Sequence, residues 1–516
     1  MMPGKNTSGY LTVYMTLVLS VILSLCLTMI EGARRSAMRM EAELITDTAM
    51  RSVLAEYNRE LMRQYNIFAV DSSYGSPVSG MSRTSEHFKD YMEKNYTRDP
   101  AFPFLSYRDF IGAYPENASV TGVVYLTDES GRVFRECAIE AIKDDLGIEA
   151  AKQVIGWATS EELIAADSMD VYGEMNEDAG EVSGAANSER ARREAERASQ
   201  EADYEKACLE SEEAGEEPPA KPDLTELPDE YKSPVSSVSD TVGTGILGLL
   251  VDDPENLSRR QLDQNAIISG RMSDGNINNG NITWTESDEN LADEILNKAL
   301  FGEYLMRYMG RYGDTDSGDA MWYQIEYLIA GQATDVENLN SVAVRIMAIR
   351  AGMDMLYLES DTAKKAEASV LATAICTACM IEWMIPVLTH AILLAWALIE
   401  ARYDTATLLS GGKIPFMKDS YTWHCDLDSA LSGASPGADK DSDSGLSYRD
   451  YLRIFLLMTD TEELTARAMD IIESDIRLSP GNGNFRMDSC IEMIECDAAI
   501  KSSFGSRVTI KRYLKY

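Results

Sequence analysis

Residues 10–35 read YLTVYMTLVLSVILSLCLTMIEGARR, and the first 21 of them, through Ile30, carry no charge. In a helix this run rises about 31 Å, which is enough to cross a hydrocarbon layer of about 30 Å. Glu31 is the first charged residue after the run, and Arg34, Arg35 and Arg39 follow it closely. The stretch therefore predicts a retained transmembrane helix.

Two other interpretations of the same run remain open. A cleaved signal peptide has an apolar region of roughly 7–15 residues followed by a small-x-small cleavage site. The best candidate for that site, Glu31-Gly32-Ala33, puts a carboxylate where a small residue belongs. The run could also be a buried helix of a soluble protein.

The orientation of the helix in the membrane is also open. The number of arginines after the run favours a cytoplasmic location for the C-terminal side, whereas long domains that follow a span are translocated largely regardless of their charge.

The bulk composition limits the possible partners. A length of 516 residues suggests about three domains. A hydrophobic content of 45% is sufficient for folded domains with buried hydrophobic cores. The formal charge is −38, from 85 acidic and 47 basic residues, so we expect no nucleic-acid partner, because binding phosphates requires a basic surface. Eight cysteines in 516 residues are too sparse for a disulfide-dense scaffold.

The pattern along the chain predicts an α+β protein, with a long N-terminal helix followed by a mostly helical domain and some antiparallel strands. Apolar residues recur every four positions from Ala49 to Tyr65, so the first helix is expected to continue that far. Residues 119–128 and the tail after Gly481 are typical of strands.

These patterns divide the chain into seven parts. They are a polar leader (1–9), a transmembrane and continuing amphipathic helix (10–66), an α+β part (67–173), a charged, proline-rich exposed insertion without a core of its own (174–235), a helical core region (236–431), an acidic loop (432–446), and helices followed by C-terminal strands (447–516).

A second strongly apolar region spans residues 366–404. It is long enough for another membrane span, but Glu382, Pro386 and His390 interrupt it. A charge near the centre of a membrane helix costs about 2.5–3.5 kcal/mol even on the most lenient scale. We therefore favour a buried helical pair broken at Pro386, with a second span as the alternative.

Two glycine-rich motifs resemble catalytic or nucleotide-binding signatures but lack the required context. GASPG (433–437) matches the nucleophile elbow of serine hydrolases, yet Pro436 has no N–H to donate to an oxyanion. GTGILG (243–248) matches a dinucleotide-binding turn, yet only LLV follows it before two aspartates and a proline, so the helix that would receive the pyrophosphate is missing. Neither motif supports a catalytic or cofactor site.

Two further motifs contain residues that bind metals. CTAC (376–379) lies in an apolar run, so buried small side chains are favoured over a zinc site. DKDSDSG (439–445) has the alternating acids of a calcium loop but lacks glycine at its sixth position, which leaves calcium binding and a solvated acidic loop both open. With only three histidines and no recognisable constellation, we expect no enzymatic activity, no metal and no cofactor.

The start of the chain resembles the TadE/TadG-like pseudopilins of tight-adherence (Flp) pilus systems. The matching features are Gly9, the following YLTVYMTLVLSV, and Glu31-Gly32-Ala33-Arg34 at the end of the span. In that family a prepilin peptidase cleaves after the glycine, which here would make Tyr10 the first mature residue. The family usually has a glutamate five residues after the glycine, where this chain has Tyr14. The resemblance therefore implies a pilin-like helix with an altered processing site at Gly9, Tyr10 and Tyr14.

Four blocks between residues 245 and 505 are similar to an uncharacterised family of Gram-positive bacterial proteins found in pilus-assembly gene neighbourhoods. They are GILGLLVDDPENLS, WYQIEYLIAGQATDVENLN, AWALIEARYDTATLLSGGKIPFMK and LSYRDYLRIFLLM. Both resemblances imply a bacterial cell-membrane protein with a single span and a large extracytoplasmic domain. The implied partners are membrane lipid, through residues 10–30, and pilus-assembly proteins or other pseudopilins.

The sequence thus leads to one principal hypothesis and one alternative. The principal hypothesis is a membrane-anchored accessory or minor pseudopilin-like component of a Tad/Flp-type pilus, which acts by helix packing and protein–protein contacts. A tyrosine at position 14 cannot pair with a neighbouring subunit's amine as a glutamate would, so a minor subunit is favoured over a bulk pilin. The alternative is a membrane-tethered surface binding protein or adhesin that does not enter a pilus.

Overall fold

The structure is a computed structural model of the chain. It describes residues 7–97, 111–158, 171–215, 217–243, 246–251, 253–263, 267–282, 291–314, 319–434, 436–440 and 442–516. The described chain is mostly helical with a few antiparallel strands, which confirms the predicted α+β class.

The elements follow one another in this order. They are α1 (Thr7–Leu54), α2 (Arg59–Tyr65), β1 (Val70–Asp71), α3 (Met81–Tyr96), β2 (Ala113–Tyr125), α4 (Asp128–Ala158), α5 (Val171–Ala214), α6 (Ser236–Gly243), α7 (Leu247–Leu250), α8 (Ile268–Ser273), α9 (Leu291–Tyr308), α10 (Gln324–Ala330), α11 (Asp335–Ser360), α12 (Thr362–Ala378), α13 (Ile385–Leu409), β3 (Lys413–Ile414), α14 (Leu427–Leu431), β4 (Leu446–Ser447), α15 (Tyr448–Met458), α16 (Thr461–Leu478), β5 (Cys490–Ser502) and β6 (Arg507–Lys515). Short 3₁₀ turns lie at Pro254–Asn256, Glu382–Met384 and Met487–Ser489. The chain divides into two compact units, the first made of residues 1–147, 263–294 and 461–516, and the second of residues 148–262 and 295–460.

An antiparallel sheet organises the first unit, with β5 at its centre. β2 pairs along β5 from Ile491 to Ser502, and β1 and β6 also pair with β5. Because a strand has only two edges, β1 and β6 must share the edge that β2 leaves open. The strands predicted at 119–128 and in the C-terminal tail are therefore confirmed.

The second half of α1 packs on this sheet together with α3. The buried side chains on α1 recur with helical spacing and share one apolar core with the sheet, which identifies a single packed face. They are Met38, Ala42, Ala49, Met50, Val53 and Leu54. The part of the first unit that follows Ile30, which we call the head, is thus built directly onto the helix that carries the apolar run.

The first helix ends earlier than the periodicity predicted. α1 stops at Leu54, the chain turns over residues 55–58, and α2 then begins. The reason is Asn58, whose side-chain oxygen accepts hydrogen bonds from the N–H groups of Glu60 and Leu61 and so caps a new helix. Leu61 and Tyr65 are nevertheless buried, so the apolar pattern was correct although the helix is not continuous.

The second unit is built around α13, which packs against α5, α11 and α12. The predicted helical pair at 366–404 is confirmed as α12 and α13, with Pro386 in the first turn of α13. The apolar window of α13 is 78% buried within the structure. Helices α10 and α11 lie on either side of Gly331, which ends α10 in the left-handed conformation with φ 67°.

The charged block at 174–235 differs from the sequence interpretation in its first part. α5 begins at Val171 and buries the side chains of Met175, Val182 and Ala186, so it contributes to a core. Beyond these positions the helix is mostly exposed. The proline-rich segment then returns beside it, because the backbone N–H of Thr225 donates to the side-chain oxygen of Gln200 at 2.8 Å. The pattern missed this packing because only a few small apolar residues on α5 carry it.

Candidate functional site

The apolar segment, Tyr10–Ile30, is the most distinctive surface of the described chain. Among the described residues, two helices are long and apolar enough to cross a membrane, one beginning at Tyr10 and the other including α13. The first has none of its apolar window buried, whereas the second is mostly covered. An exposed apolar surface of this length is unfavourable in water, so the segment requires a cover such as lipid or another protein.

The three residues implicated in processing lie at the beginning of this helix. Gly9, Tyr10 and Tyr14 all fall within the first turns of α1, which starts at Thr7. The side chains of Tyr10 and Tyr14 are 85% and 66% exposed. The structure therefore brings them together only as neighbours on one helix, and none of the described residues of the head packs against them.

A set of charged residues marks the end of the apolar segment. The Glu31 carboxylate accepts from Arg34 at 3.5 Å and from Arg35 at 3.1 Å. The Arg34 guanidinium also lies 3.8 Å from the ring centre of Phe504, at the turn between β5 and β6. The hydroxyl of Ser506 donates to Glu31 at 3.3 Å. The helix is therefore fixed to the sheet within about one turn of its last uncharged apolar residues.

A buried charge cluster lies in the second unit, formed by Arg350, Asp354, Glu400, Asp404 and Lys418, whose side chains are at most 1% exposed. Nε of Arg350 donates to Asp404 at 2.8 Å, and one of its terminal nitrogens donates to Asp354 at 3.2 Å. Nζ of Lys418 lies 2.7 Å from the other Asp404 oxygen and also donates to Glu400. Two cations and three acidic side chains thus meet in one solvent-free space.

Protonation balances the charge of this cluster. Burial raises the pKa of Asp354 to about 8, although the neighbouring Arg350 opposes the shift. Burial also acts to raise the pKa of Glu400. The hydrogen bond to His424 and the positive charge of Lys418 outweigh this effect, so the pKa of Glu400 is lowered to about 2. With Asp354 protonated at neutral pH, two negative charges face two positive charges, which is the arrangement that a buried site tolerates best.

The charge cluster holds a loop rather than a substrate. Arg350 donates to the backbone oxygens of Pro415 and Phe416 at 3.0 and 2.9 Å. The Glu400 carboxylate accepts from the backbone N–H groups of His424 and Cys425 at 3.0 and 2.8 Å. Both ends of the loop 415–425 are therefore tied to α11 and α13. Because the cluster is closed to solvent, its geometry supports a structural role and offers no place for a reacting molecule.

Sequence reasoning missed this cluster. Its one available signal was the pair Glu400 and Asp404, which are one helical turn apart at the end of a strongly apolar run. Buried acids need cationic partners, so the pair could have prompted a search for them. The partners Arg350 and Lys418 come from other segments, and no local pattern identifies them.

The glycine-rich and metal-like motifs do not form sites among the described residues. Cys376 and Cys379 are buried and free, and no group of three or more His, Cys, Asp or Glu side chains in the described chain is arranged to hold a metal. In the GTGILG region α7 has only four residues, too few to direct an N-terminus at a phosphate. Ser435 of GASPG and Asp441 of the acidic loop lie outside the described residues.

A cavity of about 480 Å³ lies in the second unit near the end of α9. Its wall combines aromatic rings with charged and amide side chains. The lining includes Asn256, Arg307, Tyr308, Arg311, Tyr312, Asp314, Asp319, Trp322 and Tyr323. Arg311 is paired with Asp314 at 3.1 Å, which places both charges at the cavity. Such a combination of rings and polar groups can bind a small polar ligand.

A family model matches residues 225–502, which is more than half of the 516 residues. The chain belongs to this family, a family of unknown function (DUF5702). No curated protein and no solved structure matches the chain. The DUF5702 match includes the whole charge cluster, and it ends at Ser502, the last residue of β5. The apolar segment and the whole of α5 lie before the matched region.

Proposed function

We propose that this DUF5702 protein is a membrane-anchored, extracytoplasmic accessory component of a Tad/Flp-type pilus, acting through helix packing and contacts with other proteins. The observation that carries the proposal is the continuity of α1, which runs from Thr7 to Leu54 without a break. The apolar window in its first half is not buried by the described chain, and its second half belongs to the core of the head. Such a helix can lie in lipid before assembly and pack against copies or partner helices afterwards.

The N-terminal resemblance to TadE/TadG-like pseudopilins supports the pilus part of the proposal. Tyr14 replaces the glutamate that the resemblance leads one to expect, and a phenol cannot neutralise the amine of an adjacent subunit. A minor or accessory subunit follows from this difference. In this proposal the contacts are made by the apolar segment, while the head is presented outside the membrane.

The proposal is tested by crosslinking and purifying the full chain from its native membrane and identifying the partners by mass spectrometry. Pilus-assembly proteins or other pseudopilins are the expected partners. A variant with Leu19→Arg and Leu23→Arg provides the control, since it should lose these partners together with its anchor. Recovery of the chain with none of these proteins would contradict a pilus role.

The N-terminal mass of the purified chain adds a second measurement. A chain that starts at Tyr10 would establish cleavage after Gly9 despite Tyr14 and would favour a pilus subunit. An intact N-terminus would favour a permanent anchor that assists assembly from the membrane.

A membrane-tethered surface binding protein is the second candidate, and the cavity near the end of α9 favours it. The aromatic and charged lining of that cavity suits a small polar ligand better than a packing helix. Replacing Trp322 by Ala should then abolish ligand or surface binding without releasing the protein from the membrane. An unchanged surface attachment would contradict this alternative.

A further inference from the structure

The turn between β5 and β6 lies beside the point where the apolar segment ends. We define the hairpin tip as residues Ser503–Ser506. The ring of Phe504 is stacked under the Arg34 guanidinium, with 3.8 Å between the ring centre and Cζ. Ser506 donates a hydrogen bond to Glu31 at 3.3 Å. These two contacts fix the height of the hairpin tip along α1.

The hairpin tip lies close to the end of the apolar segment along α1. If Tyr10–Ile30 fills the hydrocarbon layer, Arg34 lies four residues, or about 6 Å, beyond its edge. The headgroup region on each side of a bilayer is about 5–8 Å thick, from the difference between its total and hydrocarbon dimensions. With the apolar segment in the hydrocarbon layer, the hairpin tip lies at the depth of the headgroup layer, on the same side as the head.

The side chains exposed at this height are those that favour a membrane interface. Phe504 is 54% exposed although Arg34 covers one face of its ring. Tyr114 is 43% exposed and pairs with Lys501 in the neighbouring strand. Trp and Tyr side chains are enriched at the boundary between lipid and water, and Phe is common on the membrane-facing side of helices that bind there.

The hairpin is also basic in a strongly acidic chain. Residues 501–516 contain five Lys or Arg residues and no Asp or Glu, whereas the whole chain carries a formal charge of −38. Further from the tip, Lys511 pairs with Glu495, and Arg512 pairs with acids of α1. Close to the hairpin tip, Lys501 and Arg507 share one carboxylate, Glu116, at 3.7 and 2.9 Å. Two cations on one carboxylate leave a positive edge, which complements the phosphates of anionic lipids.

We propose that the hairpin tip is a second membrane contact, in which Phe504 enters the headgroup layer and Lys501 and Arg507 face anionic lipid phosphates. The inference rests on the proposed anchoring by α1. A single helix leaves the head free to rotate about the helix axis. A second contact on one side of the helix stops this rotation. It therefore determines which face of the head lies against the membrane and which face is accessible to partners.

The experiment uses the full chain reconstituted into phosphatidylcholine vesicles that contain phosphatidylglycerol. Phe504→Trp adds a reporter at the hairpin tip, and Tyr513→Trp adds a matched control on β6, which runs away from the tip beside α1. The emission of the wild-type chain, which has six tryptophans, is subtracted. Lipids brominated near the glycerol end of the acyl chain should quench the added emission of F504W strongly and that of Y513W little.

The outcomes separate the hairpin contact from the anchor. Equal, weak quenching of both variants in protein that floats with the vesicles overturns the hairpin contact and leaves the anchor intact. Protein that fails to float with the vesicles contradicts the anchor and the hairpin contact together. Replacing phosphatidylglycerol by phosphatidylcholine should reduce the quenching of F504W, and an unchanged signal would overturn the role of Lys501 and Arg507.

Discussion

The first half of α1 and helix α13 have similar hydropathy but opposite surroundings. Both are long and apolar enough to span a membrane, yet none of the apolar stretch of α1 is buried, whereas 78% of that of α13 is. The difference lies in the polar residues that each helix carries. The apolar segment of α1 has no charge until Glu31, whereas α13 contains Glu400 and Asp404, which meet Arg350 and Lys418 inside the second unit.

Average hydropathy therefore does not separate an exposed apolar helix from a core helix. A membrane offers no partner to an ionised carboxylate at its centre, whereas a protein core can supply cations at bonding distance. The helix whose acids have partners is the one that is buried in protein. The following experiments test the comparison, from the largest expected effect to the smallest.

Two arginines in the apolar segment should remove the anchor. Leu19→Arg together with Leu23→Arg costs about 5–7 kcal/mol of insertion free energy on the lenient scale. The protein should move from the membrane fraction to the soluble fraction, as measured by ultracentrifugation and immunoblotting, while the head unfolds at an unchanged denaturant concentration.

The control variant carries two arginines with the same four-residue spacing, further along α1. Met40→Arg together with Leu44→Arg alters two exposed side chains beyond the apolar segment, so this protein should remain in the membrane fraction. Membrane retention of the Leu19/Leu23 variant equal to that of its control would refute the anchor assignment.

One arginine in α13 should instead unfold the second unit. Leu394 is 1% exposed, and Leu394→Arg puts an additional cation into the core. Burying an unpaired charge is expected to cost about 4 kcal/mol or more of unfolding free energy. Urea unfolding followed by circular dichroism measures the loss. Val370→Arg on α12, where the side chain is 71% exposed, should change the unfolding free energy by less than about 0.5 kcal/mol.

Removing a cation from the charge cluster should have a comparable but smaller effect. Lys418→Met removes the cation that is bonded to both Glu400 and Asp404, and breaking a buried pair in this way costs about 3–5 kcal/mol. The loop 415–425 should also become accessible to protease, because Lys418 no longer ties it to α13. Lys365→Met on the exposed face of α12 is the matched control, and equal stability of the two variants would mean that the cluster contributes nothing.

The smallest effect is a change in the pH dependence of stability. The pKa of Asp354 is raised to about 8 by burial, so the folded chain keeps this proton between about pH 4 and pH 8, whereas the unfolded chain releases it. The unfolded state binds fewer protons in that window, and the stability therefore falls as the pH rises.

Asp354→Asn removes the titrating group and should reduce this downward slope by up to about 1 kcal/mol per pH unit. Urea unfolding of both proteins at several pH values between 4 and 8 gives the slopes. Some slope should remain, because burial also raises the pKa values of Glu326 and Glu492 to about 7. Parallel curves for the Asp354→Asn variant and the wild-type protein would contradict the protonation assigned to Asp354.

Local patterns predicted those parts of the fold that depend on local spacing. The uncharged run from Tyr10 to Ile30, the buried pair at 366–404 and the C-terminal strands all followed from periodicity and length. The break after Leu54 was missed, because the side chain of Asn58 overrides a repeat that continues past it.

The contacts that define the candidate sites could not be predicted in the same way. Arg34 and Phe504 are 470 positions apart, and Lys418 reaches Glu400 through a loop whose path no spacing reveals. Such contacts depend on the assembled sheet and helices. A sequence pattern can indicate that a charge needs a partner, but the fold determines which partner it meets.

Alkaline carbonate extraction of native membranes tests the proposed anchor most directly, because it releases peripheral proteins and leaves integral ones in the pellet. We expect the full chain to stay in the pellet through α1, although α13 remains buried in the second unit. Release of the intact chain into the supernatant would contradict the anchor.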